Sequence, residues 1–281
     1  MLLLEKANME LNATFVRDNL GLKNINKHAG LIPVVAVSLL IALTLGLGLR
    51  GQYVFDPPYL ILVISLTLIS AVGFIVAYLS AKSYLATGSL ALLFLCTAFV
   101  VQSVVPIGSG LASTFSPSAT VAIAALGLLV GSVIQLLAAA QASFRSAPIG
   151  SEHRKLRLTI AFCITTILSL FVVFLPFWPG FPSLFVNAAG VTMLNQAIYW
   201  VAIVVFVVGS FLFMRLYLRS KSSTLYWYSL ALFLWGIGTF GVMWQLRFSD
   251  IVAWTGRIGW YIGSLYYLIA LESARREPSS Q

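Results

Sequence analysis

Eight apolar stretches, each close to the length a helix needs to cross a bilayer, take up most of this chain. A helix rises about 1.5 Å per residue, so roughly 20 apolar residues cover a hydrocarbon core of about 30 Å. The stretches run over 31–49, 59–80, 87–105, 119–140, 158–175, 196–214, 225–244 and 251–271. They lack the strict alternation of barrel strands and are too long for them. The sequence therefore predicts an all-α, polytopic membrane bundle of eight transmembrane helices over 31–271, with a segment 1–30 before it and a tail 272–281 after it. Composition agrees: only 9% of residues are charged and mean hydropathy is +0.97. Soluble domains carry about 25% charged residues, so a chain this apolar needs lipid as its solvent.

The net charge of +9 raises the question of a nucleic-acid partner, and its distribution answers it. Basic residues sit in short clusters between the apolar runs, the pattern of membrane orientation signals. With the N-terminus inside, the inner segments hold Lys6, Arg17, Lys23, Lys27, Lys82, Arg145, Arg154, Lys155, Arg157, Arg215, Arg219, Lys221, Arg275 and Arg276. Arg50 and Arg247 fall outside, and Arg257 lies within a span. Both termini are thus predicted to be cytoplasmic, in a cell (plasma or inner) membrane protein. Residues 15–22 read either as a short amphipathic helix on the inner surface or as part of a flexible tail; Arg17, Lys23 and Lys27 favour anionic lipid. Residues 1–30 are too long and too charged for a secretory signal peptide.

The outer loops are read as 106–118 and 176–195, both uncharged and rich in Gly, Pro, Ser and aromatics. The second, with Pro176-Phe-Trp-Pro-Gly-Phe-Pro, reads as an interfacial cap or as a lid over a pocket opening outward. Tyr226-Trp227-Tyr228 and Trp244 are expected to anchor the inner and outer edges of the seventh span. Gly127 with Gly131, and Gly259 with Gly263, have the spacing of helix-packing seams, internal or dimeric.

Arg257 is the one clear charge at membrane depth. Its insertion cost is up to roughly 2.5–3.5 kcal/mol at the bilayer centre and less near the interface. Asp250, seven residues earlier on much the same face, is its candidate partner. Arg257 reads either as a snorkelling, loop-tying residue or as a fixed charge facing an internal cavity, able to hold an anionic or polar ligand. The remaining deep polar groups are Gln102, Gln135, Gln196, Gln245 and the Ser and Thr hydroxyls. Gln135 is expected to make an interhelical hydrogen bond.

Other chemistries find no residues to carry them. His28 and His153 lie in cytoplasmic segments, so no intramembrane axial ligand pair for haem exists. No lysine within a span offers a retinal Schiff base, and no His-Glu-x-x-His, phosphate-binding glycine loop or Gly-x-Ser-x-Gly elbow is present. Cys96 and Cys163 read as small packing residues. Neither an enzyme, nor a metal, nor a cofactor is expected.

Four stretches carry a resemblance. They are Ala77–Ser89 (AYLSAKSYLATGS), the Pro-aromatic loop into Gly190-Val-Thr192, Tyr226–Leu232 (YWYSLAL) and Trp254–Ala270 (WTGRIGWYIGSLYYLIA). In order and spacing they resemble the membrane-embedded N-terminal sensor region of certain prokaryotic PAS-containing histidine kinases, with the Trp-x-Gly-Arg core as the most specific part. This chain departs from that pattern at Ala124, Ala125 and Gln135, where the family carries polar residues including His in the fourth span. It also has Trp260 where the family has Gln, and lacks a Pro before Thr192. The resemblance implies a kinase after the last helix, whereas this chain ends in Glu277-Pro-Ser-Ser-Gln281. It is expected to be a free-standing sensor module, or an input domain separated from its output.

The function expected on these grounds is a sensory or regulatory membrane module that relays a stimulus through its last helix to a cytoplasmic kinase or cyclase. The residues expected to bind ligand or act as pivot are Arg257, Asp250, Trp254, Gln135, Gly256, Gly259 and Gly263. The expected partners are the lipid bilayer, that signalling protein and a second copy in a homodimer. A small transporter or channel, and a structural assembly protein, are the alternatives.

Overall fold

The computed structural model describes residues 27–57, 59–144, 149–186 and 189–276. The amphipathic helix considered over 15–22, the charges Lys6, Arg17, Lys23 and Arg145, and the tail beyond 276 lie outside the described residues. The described chain is an all-α bundle. Its rods are α1 (Leu31–Gly46), α2 (Leu60–Thr87), α3 (Leu90–Ala112), α4 (Pro117–Phe144) and α5 (Ser151–Phe174). They continue with α6 (Met193–Ser220), α7 (Ser223–Met243) and α8 (Ile251–Arg276). Between α5 and α6 the chain makes a 3-10 turn, Leu175–Phe177, and a two-stranded antiparallel hairpin, β1 (Phe185–Val186) with β2 (Gly190–Val191).

Among the described residues, six helices, α2 to α7, are long and apolar enough to cross a membrane. At 16 residues α1 spans about 24 Å, short of the full hydrocarbon core. α8 is long enough, but Arg257 and its Trp and Tyr residues dilute its apolar character. The outward surface fits the solvent that the helices require. Leu39, Ile164, Ile167, Phe174 and Phe211 are each at least 60% exposed. Water does not tolerate a belt of that extent, and lipid does.

Helix ends follow local rules more closely than the hydropathy of the sequence. α2 stops at Gly88, whose left-handed φ of 72° lets its N–H return to the Tyr84 carbonyl at 2.7 Å. Thr192 caps α6 by accepting from the Asn195 N–H at 3.5 Å. The expectation that a loop begins at Pro106 is corrected, because α3 runs through Pro106 to Ala112. Within a helix, proline lacks a donor and its ring crowds the carbonyl four residues back, here that of Gln102, which loses its usual partner. α2 contains a π-helical turn, Ser65–Ser70, that periodicity did not show.

α7 is the axis of the bundle. Within its apolar stretch 78% of residues are buried, against 17% for the peripheral α5. Tyr226, Trp227 and Tyr228 are all buried, which corrects their placement as interfacial anchors. Their rings pack on other helices instead. Tyr228 meets Phe213 of α6 at 4.6 Å and Tyr267 of α8 at 5.1 Å, and Trp227 meets Tyr266 at 5.3 Å. Cys96 is buried as expected, whereas Cys163 is exposed on α5.

α7 and α8 touch through glycine on both sides. A Cβ on Gly238 would lie 2.6 Å from the Gly256 carbonyl, and one on Gly256 2.6 Å from the Val242 nitrogen. A Cβ on Gly259 would come to 3.0 Å from the Gly238 Cα, and one on Gly263 to 2.7 Å from the Trp235 ring. Small residues let the backbones approach and gain dispersion contacts that lipid cannot replace. Of the other expected pair, Gly127 is pressed against Val105 of α3, but Gly131 has ordinary room, with its nearest atom at 3.5 Å. Replacing Gly238 by alanine is therefore expected to lower stability by about 1–3 kcal/mol. Gly131→Ala should stay within about 0.5 kcal/mol of wild type. Reversible unfolding in mixed detergent measures both.

Candidate functional site

A cavity opens among α2, α3, α4, α6, α7 and α8, at the end of the bundle that carries the hairpin. Its empty space is about 730 Å³, counting the open mouth. Several waters or a small molecule fit in such a space. Arg257 of α8 lines it, with Gln102 and Pro106 of α3, Tyr199 of α6, Trp235 of α7 and Gln245 from the turn after α7. Trp260, Tyr261 and aliphatic side chains close the walls. The π-helical turn of α2 borders it through Ser65 and Ile69. Such turns displace a helix face and recur at functional sites.

The polar groups around this cavity are poorly partnered. Gln102, Tyr199, Trp235 and Gln245 are each at least nine-tenths buried. Both side-chain amide atoms of Gln102 and Gln245, the Tyr199 hydroxyl and the Trp235 indole N–H make no well-formed hydrogen bond among the described residues. Tyr199 has the Asn195 amide nearby, and Gln102 has Tyr267, but neither approach reaches good geometry. A buried polar atom left alone costs about 1–3 kcal/mol. Several of them around one space mark a wetted cavity or a binding site.

Arg257 is only 6% exposed. One terminal nitrogen donates to Ser249 Oγ at 3.3 Å, and that hydroxyl donates to Asp56 Oδ1 at 3.3 Å. The guanidinium carbon lies 5.5 Å from the centre of the Phe248 ring and 5.1 Å from that of Trp254. Such cation–π contacts recover part of the desolvation cost, about 0.5–2 kcal/mol each. Trp254 is fixed by its own indole N–H, which donates to the Phe55 carbonyl at 2.7 Å.

Asp250 does not pair with Arg257, which corrects the candidate ion pair. Its Oδ1 accepts from the Ala253 N–H at 2.9 Å, capping α8. Oδ2 accepts from Leu246 and Gly51 N–H, both at 2.9 Å, and from Arg247 N–H at 3.4 Å. Its lone pairs are thereby taken by backbone donors before any guanidinium reaches them. Arg50 adds a second tie between the same loops, donating from Nε to the Trp244 carbonyl at 3.0 Å. Among the described residues no carboxylate lies within ion-pair distance of Arg257, and no three His, Cys, Asp or Glu side chains gather to hold a metal ion.

The hairpin rests on the segment that carries Gln245. Gly190, with φ at 86°, sits so close that a Cβ would lie 2.8 Å from the Gln245 carbonyl, and Phe185 meets Phe248 ring to ring at 6.4 Å. The left-handed φ and this close approach together call for glycine at 190.

The seven residues singled out from sequence fall in three places. Arg257, with Trp254 beneath it and Asp250 in the adjoining turn, forms the cavity end of α8. Gly256, Gly259 and Gly263 form the seam with α7. Gln135 stands apart, accepting from the Tyr267 hydroxyl at 3.2 Å and so joining α4 to α8. Sequence reasoning passed over Gln102, Tyr199, Trp235 and Gln245 as site residues. The available signal was two amides at membrane depth, one of them four residues before a proline.

No protein-family model, no curated protein and no solved structure matches this chain.

Replacing Gln245 by leucine removes two unpartnered polar atoms while keeping similar bulk. It is expected to leave stability unchanged or raise it by about 1 kcal/mol in detergent without added ligand. Asp250→Ala strips four backbone donors of their acceptor and should cost about 2 kcal/mol or more. Thermal unfolding of the two purified variants checks both signs.

Proposed function

We propose that this chain is a multi-pass cell-membrane protein that crosses the bilayer eight times, with both termini cytoplasmic. In this reading it is a ligand-responsive sensory module without catalysis of its own. It passes a change at the cavity along α8 to a separate cytoplasmic protein, a kinase or cyclase, as its resemblance to histidine-kinase input regions implies.

The observation that carries this reading is the placement of three features on one rod. Arg257 lies at the cavity, the glycine seam follows it, and the end of α8 lies 19 residues beyond Arg257 at Arg276, about 28 Å along the helix. A glycine seam offers a smooth surface for a shift of 1–2 Å, about the size of helix movements in known switches. A ligand that prefers one position of α8 to the other moves the equilibrium by its differential affinity. The distribution of Lys82, Arg154, Lys155, Arg157, Arg215, Arg219 and Lys221 at the helix ends away from the cavity supports the assigned orientation.

A transporter is the second reading, favoured by the interruptions at Ser65–Ser70 and Pro106, which both face the cavity. It predicts flux through liposomes, and the sensory reading predicts none.

Two measurements test the proposal. Single cysteines at Ser116 and Ser183, in a Cys163→Ser background, should react in intact cells with a membrane-impermeant maleimide, whereas one at Ser222 should not. Spin labels at Ser223 and Ser273 should report a different distance distribution in Arg257→Gln than in wild type. A single unchanged distribution in both proteins would remove α8 as the relay.

A further inference from the structure

We infer that the cavity binds a small organic carboxylate, its anionic head on Arg257 and its apolar body between α2, α3 and α4. The inference rests on reading this cavity as the stimulus site of the module proposed above.

The charge of the site sets the ligand class. Arg257 brings a guanidinium with five donor hydrogens, of which the described residues engage one, weakly, through Ser249. Neither neighbouring carboxylate touches it: Asp250 is saturated by backbone N–H groups, and Asp56 is reached only through the Ser249 hydroxyl. Among the described residues the cavity wall contains no Asp or Glu, which disfavours a cationic ligand, and no second Lys or Arg, which leaves a phosphate dianion under-compensated. A monoanion matches, and a planar guanidinium pairs best with a planar carboxylate.

The remaining polar atoms extend the match. The Tyr199 hydroxyl and the Gln102 and Gln245 amides supply further donors, whereas the Trp235 indole N–H lies beside Gly263 in the α7–α8 seam. Donors outnumber free acceptors, as binding an acceptor-rich head requires. Opposite them, Ile61, Ile69, Val101, Val105 and Leu128 form an aliphatic wall. The space available favours a short chain over a full-length acyl chain. One arm of apolar contact plus one anion explains why these polar groups remain buried despite their cost without a ligand.

The test is binding of radiolabelled hexanoate to the full chain in nanodiscs, with hexanol and hexylammonium as competitors of equal length. Hexanoate should bind saturably and be displaced by unlabelled hexanoate but by neither competitor. Arg257→Gln should weaken binding at least about tenfold, the scale of one charged hydrogen bond, and Arg257→Lys less. Gln245→Leu, which keeps the fold, should also weaken it severalfold. Displacement by oleate in preference to hexanoate would place the source of the carboxylate in the bilayer and keep the head-group assignment. Equal displacement by hexanol, or unchanged affinity in both folded Arg257→Gln and Gln245→Leu, would overturn it. Hexanoate binding as described, without a change in the α8 spin-label distances, would uphold the carboxylate site and reject the relay.

Discussion

A single buried carboxylate organises the end of the molecule where the cavity lies. Asp250 accepts from Gly51, Leu246, Arg247 and Ala253, so one side chain joins the α1–α2 loop, the α7–α8 turn and the first turn of α8. A charge with no exposure survives only when its lone pairs are filled, and here the backbone fills them. That arrangement fixes where α8 begins and therefore where Arg257 points. It also leaves Arg257 without the partner that chain proximity suggests. The cation is held between two aromatic rings and one hydroxyl, with donors to spare on the cavity side.

The glycine seam gives that placement a consequence. Close approach lets the central helix and the last helix meet backbone to backbone, with Trp235 and Trp260 stacked at 5.9 Å beside the cavity. At the far end Tyr267 reaches Gln135, and Tyr266 donates to the Gly30 carbonyl at 2.7 Å. α8 is thus tied to α4 and to the start of α1 away from the cavity. Any displacement of α8 has to be accommodated at those two hydrogen bonds.

The helical architecture was largely legible because lipid imposes one demand, an apolar run of sufficient length. The eight stretches correspond to the eight rods, and six of those rods meet the length and hydropathy demand outright. Boundaries were less legible where polar residues stay helical: Arg154, Lys155 and Arg157 belong to α5, and Pro106 lies inside α3. Arg257 was legible as a deep charge. Its relation to Asp250 was not, since spacing along a helix says nothing about backbone donors arriving from Gly51 of another loop. Tyr226, Trp227 and Tyr228 misled for a similar reason. Amphipathic rings suit an interface, but these three sit where α6, α7 and α8 bury them together. Gln102 and Gln245 gained meaning only when the fold placed them around one space.

The most direct test of this account is a density map of the chain in nanodiscs, purified from its membrane without added ligand, at a resolution that shows ordered water. The account predicts non-protein density against the Arg257 guanidinium, reaching the amides of Gln245 and Gln102. A dry cavity, with those amides turned to protein partners and Arg257 paired to an Asp or Glu of the protein, would contradict it.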